Sequence, residues 1–190
     1  MHGSRGIEAP RGASAPLVGP SYDAVVVANR LREALIAFAD AKVEFVVCGG
    51  VACILQGVAR ATHDLDLRLA MDSANVDRFL RAAQGMGLRP RIPEPLAAFA
   101  DPERRRAWVE EKHAVVYTLN SASGALTVDV FLQYPLEFAE LADAADRFEV
   151  EGRPIRVSSK RHLIHAKELV RPPRKQDLRD IEDLRELLDE

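Results

Sequence analysis

The chain of 190 residues has only two cysteines, one tryptophan and no strong excess of charge of either sign, its formal net charge being −3. Cys48 and Cys53 make neither a C-x-x-C pair nor part of a Cys/His group with zinc-ligand spacing, which argues against a disulfide scaffold or a structural zinc site. In the apolar stretch that holds them they read as small buried hydrophobes in a reducing compartment. Without a global basic field, tight sequence-independent binding to nucleic acid is not expected from bulk charge, and only a local basic patch is left open. No apolar run approaches a secretory signal or the ~20 residues of a membrane span, which predicts a cytoplasmic protein with no membrane partner.

With 47% hydrophobic residues the chain has enough apolar material for one globular core. Residues 1–20, MHGSRGIEAPRGASAPLVGP, are rich in Gly, Pro, Ala and Ser without periodicity and read as a disordered tail. A core over residues 21–158 and a helical appendage over 159–190 are expected to follow.

Val43 to Ala70 holds the densest signal. Val43, Phe45, Val46, Val47 and Cys48 read as a buried strand halted at Gly49-Gly50, and Val51–Gln56 suits one or two helical turns that end at Gly57. The chain then returns as Asp64-Leu65-Asp66-Leu67, whose strict alternation predicts a strand with Leu65, Leu67 and Leu69 facing the core and both carboxylates on the other face. A D-x-D alone is more often a solvated edge strand. Here a spacer of 13 residues between Gly50 and Asp64 is long enough for a short helix and a return loop, so the glycine turn and the acids would end up side by side. Helix-opening amides attract anions, and glycine lets a phosphate approach the backbone.

A third acid lies in Leu126–Leu132, LTVDVFL, where Val128, Val130 and Leu132 make one strand face and Asp129 the other. Asp129 reads either as a lone polar residue paired with an Arg or a backbone N–H, or as the third member of a carboxylate cluster. Clustered like charges repel by roughly 4 kcal/mol per pair at 4 Å and an effective dielectric of 20, so a cluster requires a cation. Mg²⁺ suits one or two carboxylates plus substrate phosphates.

Elsewhere the pattern predicts a helix over Asp23–Asp40 and another beginning at Asp72-Ser73 and burying Val76, Phe79, Leu80 and Ala83. A hairpin is expected from His113–Leu119 and Ala125–Gln133, a short helix over Phe138–Ala145 and a second hairpin over Phe148–Val157. Helices over Lys160–Val170 and Asp177–Leu188 are separated by Pro172-Pro173. Pro90–Lys112 reads as less regular. Its Arg104-Arg105-Arg106 cluster and Trp108 are either a charged helix face or a patch that holds phosphate and stacks a base. Lys167 is either exposed on a polar helix face or a cationic contact, and Asp177 and Asp180 read as structural acids near a helix N-terminus. His63 alternates to the face opposite the acids.

Gly49-Gly50, the spacer, Arg60-x-Thr62-x-Asp64-Leu65-Asp66 and a third Asp on a later strand resemble the signature of the nucleotidyltransferase fold, the polymerase-beta-like superfamily. Lys167 followed by Asp177-Leu-Arg-Asp180-Ile-Glu-Asp-Leu is similar to the ending of many small bacterial members, including the abortive-infection (AbiEii-like) toxins. Many members carry Gly-Ser where this chain has Gly49-Gly50. The resemblance covers about Ala39 to Leu188. It implies an α/β (α+β) fold with a mixed sheet, flanking helices and a short C-terminal helical appendage. It further implies a Mg²⁺-dependent enzyme, with two ions and Mn²⁺ as a substitute, that moves a nucleoside monophosphate from a nucleoside triphosphate to a hydroxyl. On this resemblance Asp64, Asp66 and Asp129 are the catalytic and metal-binding acids, and Gly49, Gly50, Arg60, Thr62 and Lys167 contact the nucleotide phosphates. The implied acceptor is an RNA end or a protein, with a cognate antitoxin as a partner. An aminoglycoside- or lincosamide-like antibiotic as acceptor, or a non-catalytic nucleotide-binding module, are the alternatives.

Overall fold

The computed structural model describes residues 22–189, and the side chains from Ala28 onward. The tail expected over 1–20 lies outside the described residues. Helix α1 (Tyr22–Asp40) leads through a turn into β1 (Phe45–Cys48), α2 (Gly49–Leu55), β2 (Asp64–Leu69) and α3 (Ser73–Gly85). Next come β3 (Arg89–Pro90), a 3-10 turn (Leu96–Ala100), α4 (Pro102–Lys112), and the hairpin of β4 (Val116–Asn120) and β5 (Thr127–Phe131). The chain ends with α5 (Phe138–Asp143), a second hairpin of β6 (Asp146–Val150) and β7 (Arg153–Val157), α6 (Lys160–Glu168) and α7 (Lys175–Asp189).

The seven strands form one mixed sheet in the order β3-β4-β5-β2-β1-β7-β6. β2 runs parallel to β5 and β1 parallel to β7, while the remaining pairs are antiparallel. Alternation sorts the side chains as expected: Leu65, Leu67, Leu69, Val128 and Val130 are fully buried in the main core, and Asp64, Asp66 and Asp129 lie on the opposite face. Leu163 and Ile164 of α6 and Ile181 and Leu184 of α7 join that same core, so the C-terminal helices are packed against the sheet's own apolar cluster.

An aromatic column runs through this core from α1 to α4. Phe38 stacks on Phe79 at 5.1 Å, Phe79 meets Phe99 at 5.9 Å, Phe99 meets Tyr117 at 4.7 Å, and Tyr117 stacks on Trp108 at 5.1 Å. Such pairs contribute about 0.5–1.5 kcal/mol each beyond the area they bury. Asn75, also fully buried, ties the start of β1 to the end of β2: its side chain accepts from the Glu44 amide and donates to the Glu44 and Ala70 carbonyls.

Three expectations need correction. β1 begins at Phe45 rather than Val43, and the glycine pair belongs to the first turn of α2 instead of preceding it. The segment read as irregular contains α4, which Asp101 caps by accepting from the Glu103 amide, with Pro102 at its first position. A surface helix with three consecutive arginines has no apolar stripe, so periodicity does not reveal it.

Candidate active site

The cross-strand register builds the site. In the parallel pair β2/β5, Asp66 lies directly beside Asp129 and Asp64 beside Thr127, so all three acids share one face at two adjacent levels. In the antiparallel pair β1/β2, Cys48 lies beside Asp66, which carries Gly49 over the Asp66 carboxylate. A Cβ on Gly49 would sit 2.0 Å from Asp66 Oδ2, and the backbone there has φ +56°, so only glycine fits on both counts. A Cβ on Gly50 would sit 2.6 Å from Thr62 Oγ1 and 3.1 Å from an Arg60 guanidinium nitrogen. Gly49, Gly50, Arg60, Thr62 and the acids are therefore brought together.

The Gly50 amide donates to Asp66 Oδ2 at 3.3 Å, so this N–H is engaged by the acid and is not free for an anion. The other first-turn amides of α2 have no partner within the helix. On the opposite side, the Thr118 hydroxyl donates to Asp129 Oδ1 at 2.5 Å from the facing position of β4. Thr118 was missed in the sequence, although the hairpin's turn fixes its register: with Asn120 opposite Thr127, Thr118 falls opposite Asp129.

Burial pushes the Asp66 carboxyl up to about 6, with the neighbouring Asp129 and Asp64 charges adding to the rise and the Gly50 amide and Lys167 opposing it. Asp129 is likewise raised, chiefly by burial and further by Asp64, against the Thr118 hydrogen bond and the Arg91 charge. Both carboxyls are therefore protonated more readily than in water, chiefly because they are buried.

Among the described residues, no group of three or more His, Cys, Asp or Glu side chains is gathered closely enough to hold a metal ion on its own. The donor chemistry nevertheless fits a hard divalent cation. Asp66 and Asp129 each commit one carboxylate oxygen to a protein donor, and Asp64 makes no hydrogen bond among the described residues. Mg²⁺ ordinarily completes such a set with substrate phosphate and water.

Lys167 is buried, contrary to the reading of an exposed side chain. It belongs to a ladder of alternating charge beside the acids. Arg174 clamps Asp177 through two hydrogen bonds of 2.6 and 2.9 Å; Lys167 Nζ lies 3.1 Å from Asp177 and 2.7 Å from Asp180; Arg60 reaches Asp180 at 2.5 Å. Gln176 also donates to Asp180, at 2.8 Å. Burial alone would raise Asp177 and lower Lys167, but Arg174 and Lys167 hold Asp177 below its ordinary range, and Cys53 together with Asp180 and Asp177 holds Lys167 above its own. The structural reading of Asp177 and Asp180 agrees with this geometry. Arg174, the exposed end of the ladder, carried no sequence signal.

Trp108 is not available to stack on a base: it is buried against Tyr117, and its indole N–H donates to Glu94 at 3.1 Å. Arg105 turns back to the Phe99 and Ala100 carbonyls, and Arg106 pairs with Glu103 on the same helix. His63 is exposed. No helix among the described residues is long and apolar enough to cross a membrane.

No protein-family profile and no curated protein matches the sequence. Solved structures do. The chain is similar to an antigenic nucleotidyltransferase-like protein from Paracoccidioides brasiliensis, with TM-score 0.52 and 19% identity over 84% of this chain and 77% of that one. It is similar to the lincosamide antibiotic adenylyltransferase LnuA in its lincomycin-bound form, with TM-score 0.55 and 16% identity over 84% of this chain and 96% of that one. It also matches ANT(2")-Ia in complex with adenylyl-2"-tobramycin, with TM-score 0.52 and 16% identity over 84% and 88%. At these identities the shared property is the architecture: the mixed seven-stranded sheet and its helices form a nucleotidyltransferase fold. The narrower likeness to abortive-infection toxins is not carried by these similarities.

Proposed function

We propose that this chain is a divalent-metal-dependent nucleotidyltransferase that moves a nucleoside monophosphate from a nucleoside triphosphate to a hydroxyl acceptor. The observation that carries the reading is the side-by-side register of Asp66 and Asp129, with Asp64 two residues away, beneath a glycine pair that leaves no room for a side chain. Asp64, Asp66 and Asp129 would hold magnesium, whose charge neutralises the triphosphate and the departing pyrophosphate.

The chain's own groups do the rest. Thr118 pins one oxygen of Asp129, leaving the other to orient the acceptor hydroxyl and take its proton as the oxygen attacks the α-phosphorus. The bond from that phosphorus to the bridging oxygen breaks, and pyrophosphate leaves. Arg60 against Gly50, backed by Lys167 and sharing Asp180 with it, would supply the positive side on which the phosphates rest, and the Thr62 hydroxyl a neutral hydrogen bond.

Incubation with each α-labelled triphosphate and Mg²⁺, with a panel of RNA, protein and small-molecule acceptors, should yield a labelled acceptor and pyrophosphate. Asp129→Asn should remove both while leaving the melting transition in place. Metal-dependent triphosphate binding with no transfer to any acceptor would instead identify a non-catalytic binding module. An antibiotic-like acceptor is the second reading, favoured by the 96% of the LnuA chain that this fold spans.

A further inference from the structure

The register that aligns the acids continues outward to the edge of the sheet. Thr118 lies opposite Asp129 and Asn120 opposite Thr127, so β4 continues both rows of the acid face with neutral hydrogen-bonding side chains. Beyond β4, Arg89 lies opposite Asn120, and the Arg91 amide donates to the Thr118 carbonyl at 2.9 Å. One row of strand partners reads Asp66, Asp129, Thr118, met just past the end of β3 by the Arg91 amide, and the next reads Asp64, Thr127, Asn120, Arg89. Strands are spaced about 4.8 Å apart, so the Arg91 backbone lies about 10 Å from that of Asp129, on the side away from Gly49-Gly50.

Both arginines are exposed, and among the described residues neither side chain makes an ion pair or a hydrogen bond. Arg81, Arg104, Arg147, Arg161 and Arg179 are likewise exposed without a side-chain partner among the described residues, so what sets Arg89 and Arg91 apart is their place at the outer end of the acid rows. An Arg at an edge strand also discourages edge-to-edge pairing, but that role needs neither two arginines nor their alignment with the acids.

We infer that Arg91 and Arg89 select the acceptor: they form a phosphate rail on the acceptor side of the acids, fitted to a single-stranded polynucleotide that offers its terminal hydroxyl to Asp129. The inference rests on the transferase reading above and narrows its acceptor. A strand end with its hydroxyl at Asp129 that runs outward over β4 and β3 brings its first phosphodiesters to both arginines. The rail gives that path two planar, bidentate phosphate donors. Thr118 and Asn120 between them add no charge that would repel the backbone. A polycationic acceptor meets the opposite field on this approach, since its ammonium groups would face two unpaired guanidiniums. The charge of Arg91 already reaches Asp129, where it offsets part of the effect of burial.

The test compares the wild-type protein with Arg91→Glu, Arg91→Lys and Arg89→Glu/Arg91→Glu. Two measurements are made: transfer from α-labelled triphosphate to a short single-stranded RNA or to tobramycin, and fluorescence-anisotropy binding of the same RNA over a salt series. Wild type should prefer the RNA. Arg91→Glu should weaken RNA binding and RNA transfer roughly tenfold and lower the salt slope of binding by about one, with Arg91→Lys restoring most of the loss. The double variant should lose more of both and shift the acceptor ratio toward tobramycin.

Equal RNA affinity and equal acceptor ratios in wild type and Arg91→Glu would overturn the inference while leaving transferase activity intact. Absence of transfer to every acceptor, together with absence of Mg²⁺-dependent triphosphate binding, would overturn the transferase reading and this one with it.

Discussion

Gly49 and Asp66 occupy each other's space: a methyl group on the glycine would lie 2.0 Å from one carboxylate oxygen and 2.8 Å from the Asp66 Cβ. The fold can therefore hold this acid against the first turn of α2 only while position 49 has no side chain. Gly49→Ala should lower stability by about 2 kcal/mol or more, combining the cost of a left-handed non-glycine backbone with displacement of Asp66. Urea denaturation measures the loss. Pairing the substitution with Asp66→Gly should recover part of it, because the clash is with that side chain.

Asp66 makes the apo protein sensitive to pH in a direction opposite to most carboxylates. Its folded value is about 6 against an ordinary 3.8, so the folded state holds the proton more tightly than the unfolded chain. Stability from this group is fully present below about 4 and is lost as pH rises through about 6, with a slope approaching about 1.4 kcal/mol per pH unit between them. Asp66→Asn should flatten the profile in that window. Added Mg²⁺ should stabilise wild type at pH 7 and leave the variant nearly unchanged, as read from melting curves.

Lys167 compensates two acids that have no access to water. Lys167→Met keeps the volume and removes the charge, and breaking one side of a buried ion pair costs about 3–5 kcal/mol. Arg60 and Arg174 still reach Asp180 and Asp177, so a loss at the lower end is expected in chemical denaturation. Asp177 has a depressed folded value, so its contribution is present above its ordinary 3.8 and is lost as pH falls through the depressed value. Wild type should therefore lose stability in acid more steeply than Lys167→Met.

Thr118 acts on Asp129 through one hydrogen bond. Thr118→Val deletes the donor that opposes the rise caused by burial, so the acid limb of the pH–rate profile should move to higher pH. A fall of about tenfold in turnover is expected near neutrality, with little change in melting. A merely structural threonine would change stability and leave the position of that limb alone.

The parts of the fold that could be read in the sequence are those where one period dominates. Leu65, Leu67 and Leu69 alternate with Asp64, Asp66 and Arg68, and Val128 and Val130 flank Asp129, so strand faces and acid placement follow from spacing alone. Asp72 announces α3 through its cap. α4 stayed hidden because its buried contact is essentially one residue, Trp108, which the neighbouring arginines disguise as a surface feature. The burial of Lys167 was not legible either. It depends on Asp177 and Asp180, a helix away, pointing back at the same nitrogen, a relation that local pattern does not encode. The arginine edge is a register effect: Arg89 and Arg91 gain meaning only once β3 is known to lie two strands from the acids.

Because the acids meet through strand pairing, parity governs what length changes the gene can accept. Lengthening the turn between Asn120 and Thr127 leaves the rows intact, whereas one residue inserted within β5 ahead of Asp129 would swing that carboxylate into the leucine layer and bring a valine out beside Asp66. Indels in this region should therefore be confined to the tip, and a homologue with an odd insertion inside the strand would need a bulge to restore the alignment.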